Sequence, residues 1–399
     1  MHSLRILQLA TSTGGGAGIA ARRTHEALLE NDSDSTLITL TDYSKAHKVF
    51  EIDRSRIDKL KSSTLTAFQS YFLQRSDQLL TAVSRNSFKK QKFDISSYQV
   101  IHIHAYYNLL STHQIIDLCQ NYPEKKFFIT LHDERFLTGG CHYSQGCSNV
   151  LSGCKRCPQA TPLGELYVQH DYRIKLKGLN GLGNLQLISP SRWLQELARV
   201  SPATKDLVSH VVRNPVPKVF FETKPTLSAA PPLRIAFVSA HLGTRMKGLA
   251  TLVEALNLIA EKGFSDSFEL VLVGHGQAPD FLDERIKLEN FLSESDEETA
   301  KILSTCQILA LPSIQDNSPS TMTEALCAGL SVVGTKTGGI DEILTSYNQL
   351  TVEPQRPHEF AEALLSLRIS RVTPIKSQAL SDFSYSAVAR KLNLIYTYK

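Results

Sequence analysis

The sequence predicts an α/β protein with two doubly wound parallel-sheet domains. The chain of 399 residues is long enough for two such domains of about 150 to 200 residues each. Short apolar runs alternate with helical runs in both halves, and the order of strand, loop and helix that opens the chain starts again at residue 233. We therefore place an N-terminal domain at 1–212, a proline-rich linker at 213–232 and a C-terminal domain at 233–382.

Composition narrows the classes of function. Apolar residues make up 42% and charged residues 21% of the chain, as in ordinary globular proteins, and a net charge of +4 is too small to indicate nucleic-acid binding. No charged-then-apolar leader and no run of about eighteen apolar residues is visible, so we expect a cytoplasmic protein. Residues 45–92 hold eleven Lys or Arg against four acids. This stretch is either a solvated basic face or a peripheral contact with anionic lipid on the inner side of the membrane.

A glycine-rich loop follows the first predicted strand, at 4–10, and precedes a helix that we expect to begin near Ile19. Glycines at such a point let the backbone approach a ligand, so Gly15 and Gly16 are candidates for binding a phosphate or a hydroxyl. The glycine spacing, with Asp42 after the next strand, also resembles a dinucleotide fingerprint, which by itself is a weak signal.

Two further predicted strands each end in histidine. The strand at 98–104 ends in His102 and His104, and the strand at 125–132 ends in His132. The carboxyl ends of parallel strands meet at one edge of a sheet, where open α/β folds bind ligands. A histidine there is either a packed, hydrogen-bonded residue or a contact to substrate.

Four cysteines crowd into seventeen residues with the spacing C-x5-C-x6-C-x2-C: Cys141, Cys147, Cys154 and Cys157. Four thiolates at such separations can close a tetrahedral Zn²⁺ site, and His142 could replace one of them. The role would be structural, because four protein ligands leave no open position for substrate. Disulfides, which a reducing cytoplasm disfavours, and free thiols are the alternatives.

The C-terminal half opens with a buried-type strand at 233–240, a loop at 241–248 and a helix at 249–263. Arg245 and Lys247 lie in that loop. Two cations there could offset negative charge that builds on a phosphate group during a reaction, so no catalytic metal is expected. The alternative is that both are exposed loop cations.

The most informative stretch, 308–344, has the pattern of one βαβ unit. Its predicted helix, 321–328, follows an N-cap candidate at Ser318. Asp316 lies in the loop before this helix and Glu324 lies eight positions later, inside it. A ligand across the helix start would meet two carboxylates, which suit sugar hydroxyls, and free backbone amides, which suit phosphate. The alternative is an ordinary turn acid and a solvated helix acid.

This D-x7-E spacing, followed by ALCAGLSVVGT and GGI, resembles the signature of retaining glycosyltransferases of family 4. The resemblance implies the GT-B fold, two Rossmann-like domains facing across a cleft. It also implies that Asp316, where the family usually has Glu, contacts the donor sugar and that Glu324 holds the ribose of the nucleotide. The remaining donor-binding positions that it implies are Asn317, Ser318, Ser320 and Thr321.

Other positions match the same family. The TLHD context makes His132 similar to the histidine that approaches the donor sugar. Lys247 and the glycine after it match the Lys-Gly that closes the phosphate loop, whereas the usual arginine position is Leu242 here, so Arg245 would substitute for it. Gly274 falls in the family segment near the nucleotide.

Two longer segments extend the resemblance. Residues 291–295 occupy the place of a loop that commonly stacks on the base, and the helical segment 383–399 resembles the terminal helix that crosses back to the first domain of GT-B enzymes. The stretch 132–158, with LTGGC and cysteines ending in CP, is similar to a subset of bacterial polysaccharide glycosyltransferases.

The resemblance implies transfer of a sugar, with retention, from a nucleoside diphosphate, UDP or GDP, to a glycan or polyprenol-linked acceptor. The setting would be bacterial surface polysaccharide synthesis, of O-antigen, capsule or exopolysaccharide. Two alternatives remain at this point: a nucleotide-sugar epimerase or phosphorylase on the same fold, and a non-catalytic partner of another glycosyltransferase.

Overall fold

The computed structural model describes residues 4–75, 79–84, 94–224, 231–370, 374 and 376–398. The chain divides into two compact units. The N-terminal unit contains residues 1–213 together with 388–399, and the C-terminal unit contains residues 214–387. Each unit is built around its own parallel sheet, so the predicted fold class is confirmed.

The N-terminal sheet has seven strands among the described residues, in the order β3-β2-β1-β4-β5-β6-β7, and every pairing is parallel. The strands are β1 (Arg5–Ser12), β2 (Asp34–Thr41), β3 (Val49–Glu51), β4 (Val100–Ile103), β5 (Lys126–Thr130), β6 (Leu185–Ser189) and β7 (Val208–Val211). The helices are α1 (Gly15–Glu30), α2 (Arg56–Phe68), α3 (Thr112–Asn121), α4 (Pro162–Gly178) and α5 (Arg192–Val200).

The C-terminal sheet has six strands in the described part of the chain, in the order β10-β9-β8-β11-β12-β13, again all parallel. They are β8 (Leu233–His241), β9 (Phe268–His275), β10 (Lys287–Phe291), β11 (Ile308–Leu311), β12 (Ser331–Thr335) and β13 (Leu350–Val352). The helices are α6 (Lys218–Glu222), α7 (Leu249–Glu261), α8 (Asp296–Ser304), α9 (Ser320–Ala328), α10 (Gly338–Ser346), α11 (Pro357–Ser366), α12 (Lys376–Phe383) and α13 (Tyr385–Thr397).

Local sequence explains the main boundaries. The central strands are continuous apolar runs because both faces of a parallel sheet are covered by helices. Helix α3 begins with a capping box, in which Ser111 and Gln114 each bond the backbone of the other. Helix α9 ends at Gly329, whose φ of 88° is the left-handed conformation that favours glycine.

The order of strands reverses once in each sheet. The reversal lies between β1 and β4 in the N-terminal unit and between β8 and β11 in the C-terminal unit. At such a point the loops after two neighbouring strands leave in opposite directions and open a crevice at the carboxyl edge. The strand order therefore predicts one ligand-binding edge in each unit.

Three details differ from the expectations. Helix α1 begins at Gly15 rather than near Ile19, because the glycine segment packs closely: a Cβ at Gly18 would lie 2.5 Å from the Ser12 carbonyl oxygen. Pro319, not Ser318, occupies the N-cap position of α9. Part of the expected linker is helix α6 of the C-terminal unit, where Phe220 is fully buried; residues 225–230 lie outside the described residues.

Helix α13 spans the division between the two units in sequence. It starts at Tyr385 and its residues from Val388 onward group with the N-terminal unit. There the Tyr396 hydroxyl bonds His102, and the Tyr396 carbonyl accepts from Lys126. None of the helices in the described part of the chain has both the length and the hydropathy needed to cross a bilayer.

Candidate functional site

Two loops of the C-terminal unit meet where its strand order reverses. The backbone N–H of Ile314, after β11, donates to the carbonyl of Met246, after β8, at 2.8 Å. Gly248 has a φ of 75°, and a Cβ there would lie 1.9 Å from the Pro312 carbonyl oxygen. Only glycine allows this approach without strain. The two loops are therefore fixed against each other at the carboxyl edge of the sheet.

This contact brings two of the predicted catalytic residues together. The Lys247 ammonium lies 2.5 Å from Oδ2 of Asp316, and both side chains are more than two-thirds buried. The other carboxylate oxygen of Asp316 accepts from the backbone N–H of Asn317 at 2.9 Å. A charge-assisted hydrogen bond of this kind fixes both side chains. An arriving phosphate would compete with Asp316 for the lysine.

A third loop holds the backbone of Asp316. The N–H of Gly339 donates to the Asp316 carbonyl at 3.2 Å. At Gly338, with a φ of 55°, a Cβ would lie 1.9 Å from the same carbonyl oxygen. Thr335 donates its hydroxyl to the Ser313 carbonyl at 2.6 Å. The paired glycines of the recognised motif thus have a structural reason: they let the start of α10 approach the Asp316 loop.

The start of helix α9 completes this edge. No side chain of the described residues caps the helix, and its first amides are among the groups that bind anions in proteins. The Ser318 hydroxyl is buried and has no hydrogen-bond partner within the described residues, while its carbonyl accepts from Asn214 at 3.4 Å. Glu324 is 5% exposed, one turn into the helix. The other predicted donor-binding residues lie around this start: Asn317 is buried, and Ser320 and Thr321 are half-buried.

Arg245 and Gly274 have different surroundings. Arg245 is in the same 3-10 turn as Lys247, but its side chain is exposed. Gly274 has a φ of 141°, and a Cβ there would lie 1.7 Å from the Ser239 carbonyl oxygen. The glycine therefore lets the end of β9 approach β8, a packing requirement that stands whether or not a donor lies against it.

The remaining predicted residues belong to the N-terminal unit. Gly15 and Gly16 form the first turn of α1, where no atom of the described residues lies within 4 Å of an added Cβ. The Thr11 hydroxyl donates to the carbonyls of Ala105 and Tyr107, at 2.8 and 2.6 Å, and so ties the loop after β1 to the loop after β4.

His132 follows β5 at the same edge of the N-terminal sheet. Its Nε2 lies 3.1 Å from Nδ1 of His104, which is 1% exposed. Burial lowers the pKa of His132 to about 4, against a smaller opposing effect of Asp133. Burial also lowers the pKa of His102 to about 3 and that of His104 well below its ordinary value. All three imidazoles are therefore neutral at pH 7, and His132 is not an acid there.

His102 is a packing residue. It is fully buried, and its ring nitrogens bond Thr130 at 2.7 Å and the Tyr396 hydroxyl at 2.6 Å. Sequence reasoning missed Gln8 and Ser35, which are fully buried and linked to His104 by hydrogen bonds. Each is a polar residue inside an apolar strand, and this pattern could have identified both from the sequence.

The four predicted zinc ligands line one small cavity of the N-terminal unit. All four are free thiols. Burial raises the pKa of the Cys154 thiol to about 11, although the Gly139 N–H donates to its sulfur at 3.3 Å. In the part of the chain that the structure describes, no group of three or more His, Cys, Asp or Glu side chains has the arrangement of a metal site.

His142, the alternative zinc ligand, forms hydrogen bonds to residues outside the cysteine cluster. Its Nδ1 lies 2.6 Å from Oδ2 of Asp133, and its Nε2 lies 2.9 Å from the Thr81 hydroxyl. Burial raises the pKa of Asp133, but the charge and hydrogen bond of His142 and the Arg135 N–H outweigh it, so the net shift is downward. In this structure His142 therefore orients Asp133.

Comparisons with known proteins show what the C-terminal unit and the whole chain resemble. Residues 232–368 match the model of the family described as glycosyl transferases group 1. Over 312 residues, 74% of this chain and 71% of the other, the sequence is 23% identical to WcaC of Escherichia coli (strain K12), named as a glycosyl transferase of colanic acid biosynthesis. Over 184 residues, 40% and 44% of the two chains, it is 28% identical to AmsK of Erwinia amylovora, an amylovoran biosynthesis glycosyltransferase.

The fold also matches that of a solved structure. Anabaena Alr3699/HepE, solved in complex with UDP-glucose, aligns with a TM-score of 0.62 at 15% sequence identity, over 98% of this chain and 99% of that one. Similarity at this level of identity establishes the fold.

Proposed function

We propose the reaction of this glycosyltransferase, which has the GT-B fold and matches the model of glycosyl transferases group 1 over residues 232–368. It transfers a sugar from a nucleoside diphosphate to a hydroxyl of a growing bacterial exopolysaccharide, with retention at the anomeric carbon. The acceptor class follows that of WcaC and AmsK, named for colanic acid and amylovoran. UDP is the first nucleotide to test, because HepE was solved with UDP-glucose.

The observation that carries this proposal is the convergence of Lys247, Asp316 and the start of α9 at one edge of the C-terminal sheet. We assign the donor diphosphate to the α9 amides and to Lys247, with Arg245 as an exposed second cation. Asp316 and Glu324 take the hydroxyls of the sugar and the ribose. Lys247 and the amides stabilise negative charge on the departing diphosphate, whose oxygen accepts the proton of the acceptor hydroxyl.

The decisive experiment has two steps. Thermal unfolding is measured with UDP-, GDP- and dTDP-sugars, because a ligand that binds the folded state raises the unfolding temperature. The stabilising donor is then incubated with and without acceptor, and the anomeric configuration of the product is determined by NMR. We expect product only with acceptor and with the configuration of the donor. An altered sugar nucleotide without acceptor would identify an epimerase, and an inverted product would contradict retention.

We also propose that α2 and the turn after it dock on an anionic membrane. Its exposed apolar side chains are Ile57, Leu60, Tyr71 and Phe72, at 63%, 65%, 81% and 59% exposure. Exposed cations flank them: Arg56, Lys59 and Lys61. Apolar side chains that enter the interface, together with cations that attract anionic head groups, are the features of interfacial helices. Such docking would bring the enzyme to a polyprenol-linked acceptor. The neighbouring basic residues at 85–92 lie outside the described residues.

Co-sedimentation tests the membrane contact. We expect binding to vesicles containing phosphatidylglycerol but not to pure phosphatidylcholine, and a several-fold loss in the Leu60→Asp variant. Leu394→Asp is the control, because Leu394 is an equally exposed leucine, at 71%, on α13. Equal binding to both vesicles, or equal loss in both variants, would refute the assignment.

A structural zinc ion is the third proposal. Its ligands would be Cys141, Cys147, Cys154 and Cys157, which share one cavity. A backbone N–H group already points at one of the sulfurs: Gly139 donates to Cys154 at 3.3 Å. Such donors stabilise the thiolate, the form that binds metal. The ion would hold the loop between β5 and α4.

Metal analysis of protein purified without chelator tests this proposal. We expect about one zinc per chain, lost in Cys157→Ser and kept in Cys119→Ala, a buried cysteine outside the cluster. Alkylation before and after reduction, followed by mass spectrometry, counts any disulfides. A stably folded, metal-free protein, with or without disulfides, would reject the zinc site.

A further inference from the structure

A chain of buried hydrogen bonds crosses the N-terminal unit and ends at His132. It links residues of α1, β2 and β1 to the residues after β4 and β5, which are neighbours in the sheet. The links are His47 O to His25 Nε2 (2.8 Å), His25 Nδ1 to Ser35 Oγ (2.9 Å), Ser35 Oγ to Gln8 Nε2 (2.9 Å), Gln8 Oε1 to His104 Nε2 (2.8 Å) and His104 Nδ1 to His132 Nε2 (3.1 Å).

The interior of this chain is closed to water. His25, Ser35 and Gln8 are fully buried, and His104 is 1% exposed. A buried polar group without a partner has lost its hydrogen bond to water and gained none in return, so each link needs one donor and one acceptor. Burial also lowers the pKa of His25 and His104, and the ring nitrogens of both bond a carbonyl, a hydroxyl, an amide or another imidazole. Each of the two imidazoles is therefore neutral, with one N–H and one lone pair.

The backbone carbonyl of His47 sets the direction of the first links. A carbonyl can only accept, so His25 carries its proton on Nε2 and accepts at Nδ1. The Ser35 hydroxyl must then donate to His25, and its oxygen accepts from Gln8. The Gln8 amide nitrogen therefore faces Ser35.

The same reasoning fixes the remaining links. With its nitrogen towards Ser35, Gln8 presents Oε1 to His104, which donates from Nε2. The neutral His104 then accepts at Nδ1, and the donor is the Nε2–H of His132. Every link has one donor and one acceptor only in this order.

We propose that Gln8, Ser35, His25 and His104 are positioning residues that hold His132 in its Nε2–H tautomer. In that tautomer Nδ1 is the acceptor of His132. That nitrogen can only accept, so any ligand group that it meets must be a hydrogen-bond donor, such as a sugar hydroxyl, and not a phosphate oxygen. The identification of this ligand group as a sugar hydroxyl rests on the proposed function. The assignment of the tautomer does not depend on that function.

Nitrogen NMR of the free protein measures the tautomer directly. In protein labelled with ¹⁵N-histidine, the two ring nitrogens differ strongly in chemical shift according to which carries the proton. The His132→Gln variant identifies the signals of His132. We expect the wild type at pH 7 to show one tautomer, protonated at Nε2. A signal protonated at Nδ1, a mixture of both forms, or a charged ring would overturn the proposal.

The Gln8→Met variant tests the role of the chain. Methionine has a similar volume but cannot accept from His104, so we expect a second tautomer of His132 to appear and the hydroxyl-dependent donor affinity to fall. Tyr396→Phe is the control, because it removes a hydrogen bond to His102, which is outside the chain. An unchanged tautomer in Gln8→Met would contradict the proposal. The NMR measurement of the tautomer needs neither sugar donor nor acceptor. A wrong tautomer would therefore be distinguishable from a failure of the proposed glycosyltransferase reaction.

Discussion

Lys247 and Asp316 are 69 positions apart in the sequence, yet the lysine Nζ lies 2.5 Å from the aspartate Oδ2. Each side chain comes from a different loop, and the two loops meet because β8 and β11 are neighbours in the sheet. Both groups are largely shielded from water, at 29% and 12% exposure, so their attraction is screened less than in a surface pair. The ion pair is thus a consequence of the strand order. It connects Lys247, the cation predicted to bind phosphate, to Asp316, the acid predicted to bind the sugar.

The first prediction concerns the coupling between these two residues. A double-mutant cycle with Lys247→Met, Asp316→Asn and the double variant should give a coupling energy of about 1 to 2 kcal/mol in the free energy of unfolding, because each single change leaves a partner without its charge. Urea unfolding at low salt measures it. Strictly additive effects would show that the contact does not persist in solution.

The second prediction assigns Glu324 to the nucleotide. Replacing Glu324 with Gln removes the charge of a carboxylate that is 5% exposed in α9. Nucleotide binding should weaken by about 1 to 3 kcal/mol, the scale of a charged hydrogen bond, which is roughly a 5- to 150-fold rise in Kd. Titration calorimetry measures the affinity. Glu362→Gln, an exposed acid on α11, is the matched control. Unchanged affinity in the Glu324 variant would refute the ribose assignment.

The two residues also show how far the sequence alone reaches. The strand and helix pattern predicted both domains, and the recognised motif placed Asp316 and Glu324 on a loop and a helix, because these depend on local spacing. The contact with Lys247 depends on which strands are neighbours, and periodicity does not contain that information. The hydrogen-bond chain through Gln8 and Ser35 was missed for a similar reason. The role of a buried polar residue becomes clear only from its hydrogen-bond partners, and these are distant in sequence.

Helix α1 shows where local preference was overridden. Glycine is unfavourable in a helix, so the run after Thr13 predicted a loop. The helix nevertheless begins at Gly15, because at Gly18 the helix packs so closely on the Ser12 carbonyl that no side chain fits. Tertiary packing therefore sets the start of α1. The glycines, which by local preference predicted a loop, are the residues that allow this packing.

The third prediction tests the junction of the two loops in the C-terminal unit. Gly248→Ala should destabilise the protein by about 2 kcal/mol or more, because the residue has a left-handed φ of 75° and the new Cβ would meet the Pro312 carbonyl at 1.9 Å. Gly243→Ala, five residues earlier in the same loop, meets nothing within 4 Å and should be nearly neutral. Thermal and urea unfolding compare the two. Equal stability of both variants would show that the loops are not locked together.

The last prediction concerns stability and pH. His25, His102, His104 and His132 all have folded-state pKa values below the ordinary 6.5 because of burial. Below pH 6.5 the unfolded chain therefore binds protons that the folded chain does not, so the free energy of unfolding falls as the pH falls. A single fully buried histidine contributes up to about 1.4 kcal/mol per pH unit between 6.5 and its folded pKa.

Urea unfolding at pH 7, 6 and 5 measures this slope. Asp34, Asp42 and Asp133, whose folded pKa values are also lowered, lose their contribution only near and below pH 4, so the histidines dominate this window. His102→Gln keeps partners for Thr130 and Tyr396 and should reduce the slope by about 1 kcal/mol per pH unit. A free energy of unfolding that does not change from pH 7 to 5 would mean that these histidines bind protons in the folded protein, and the neutral chain that orients His132 would then not exist.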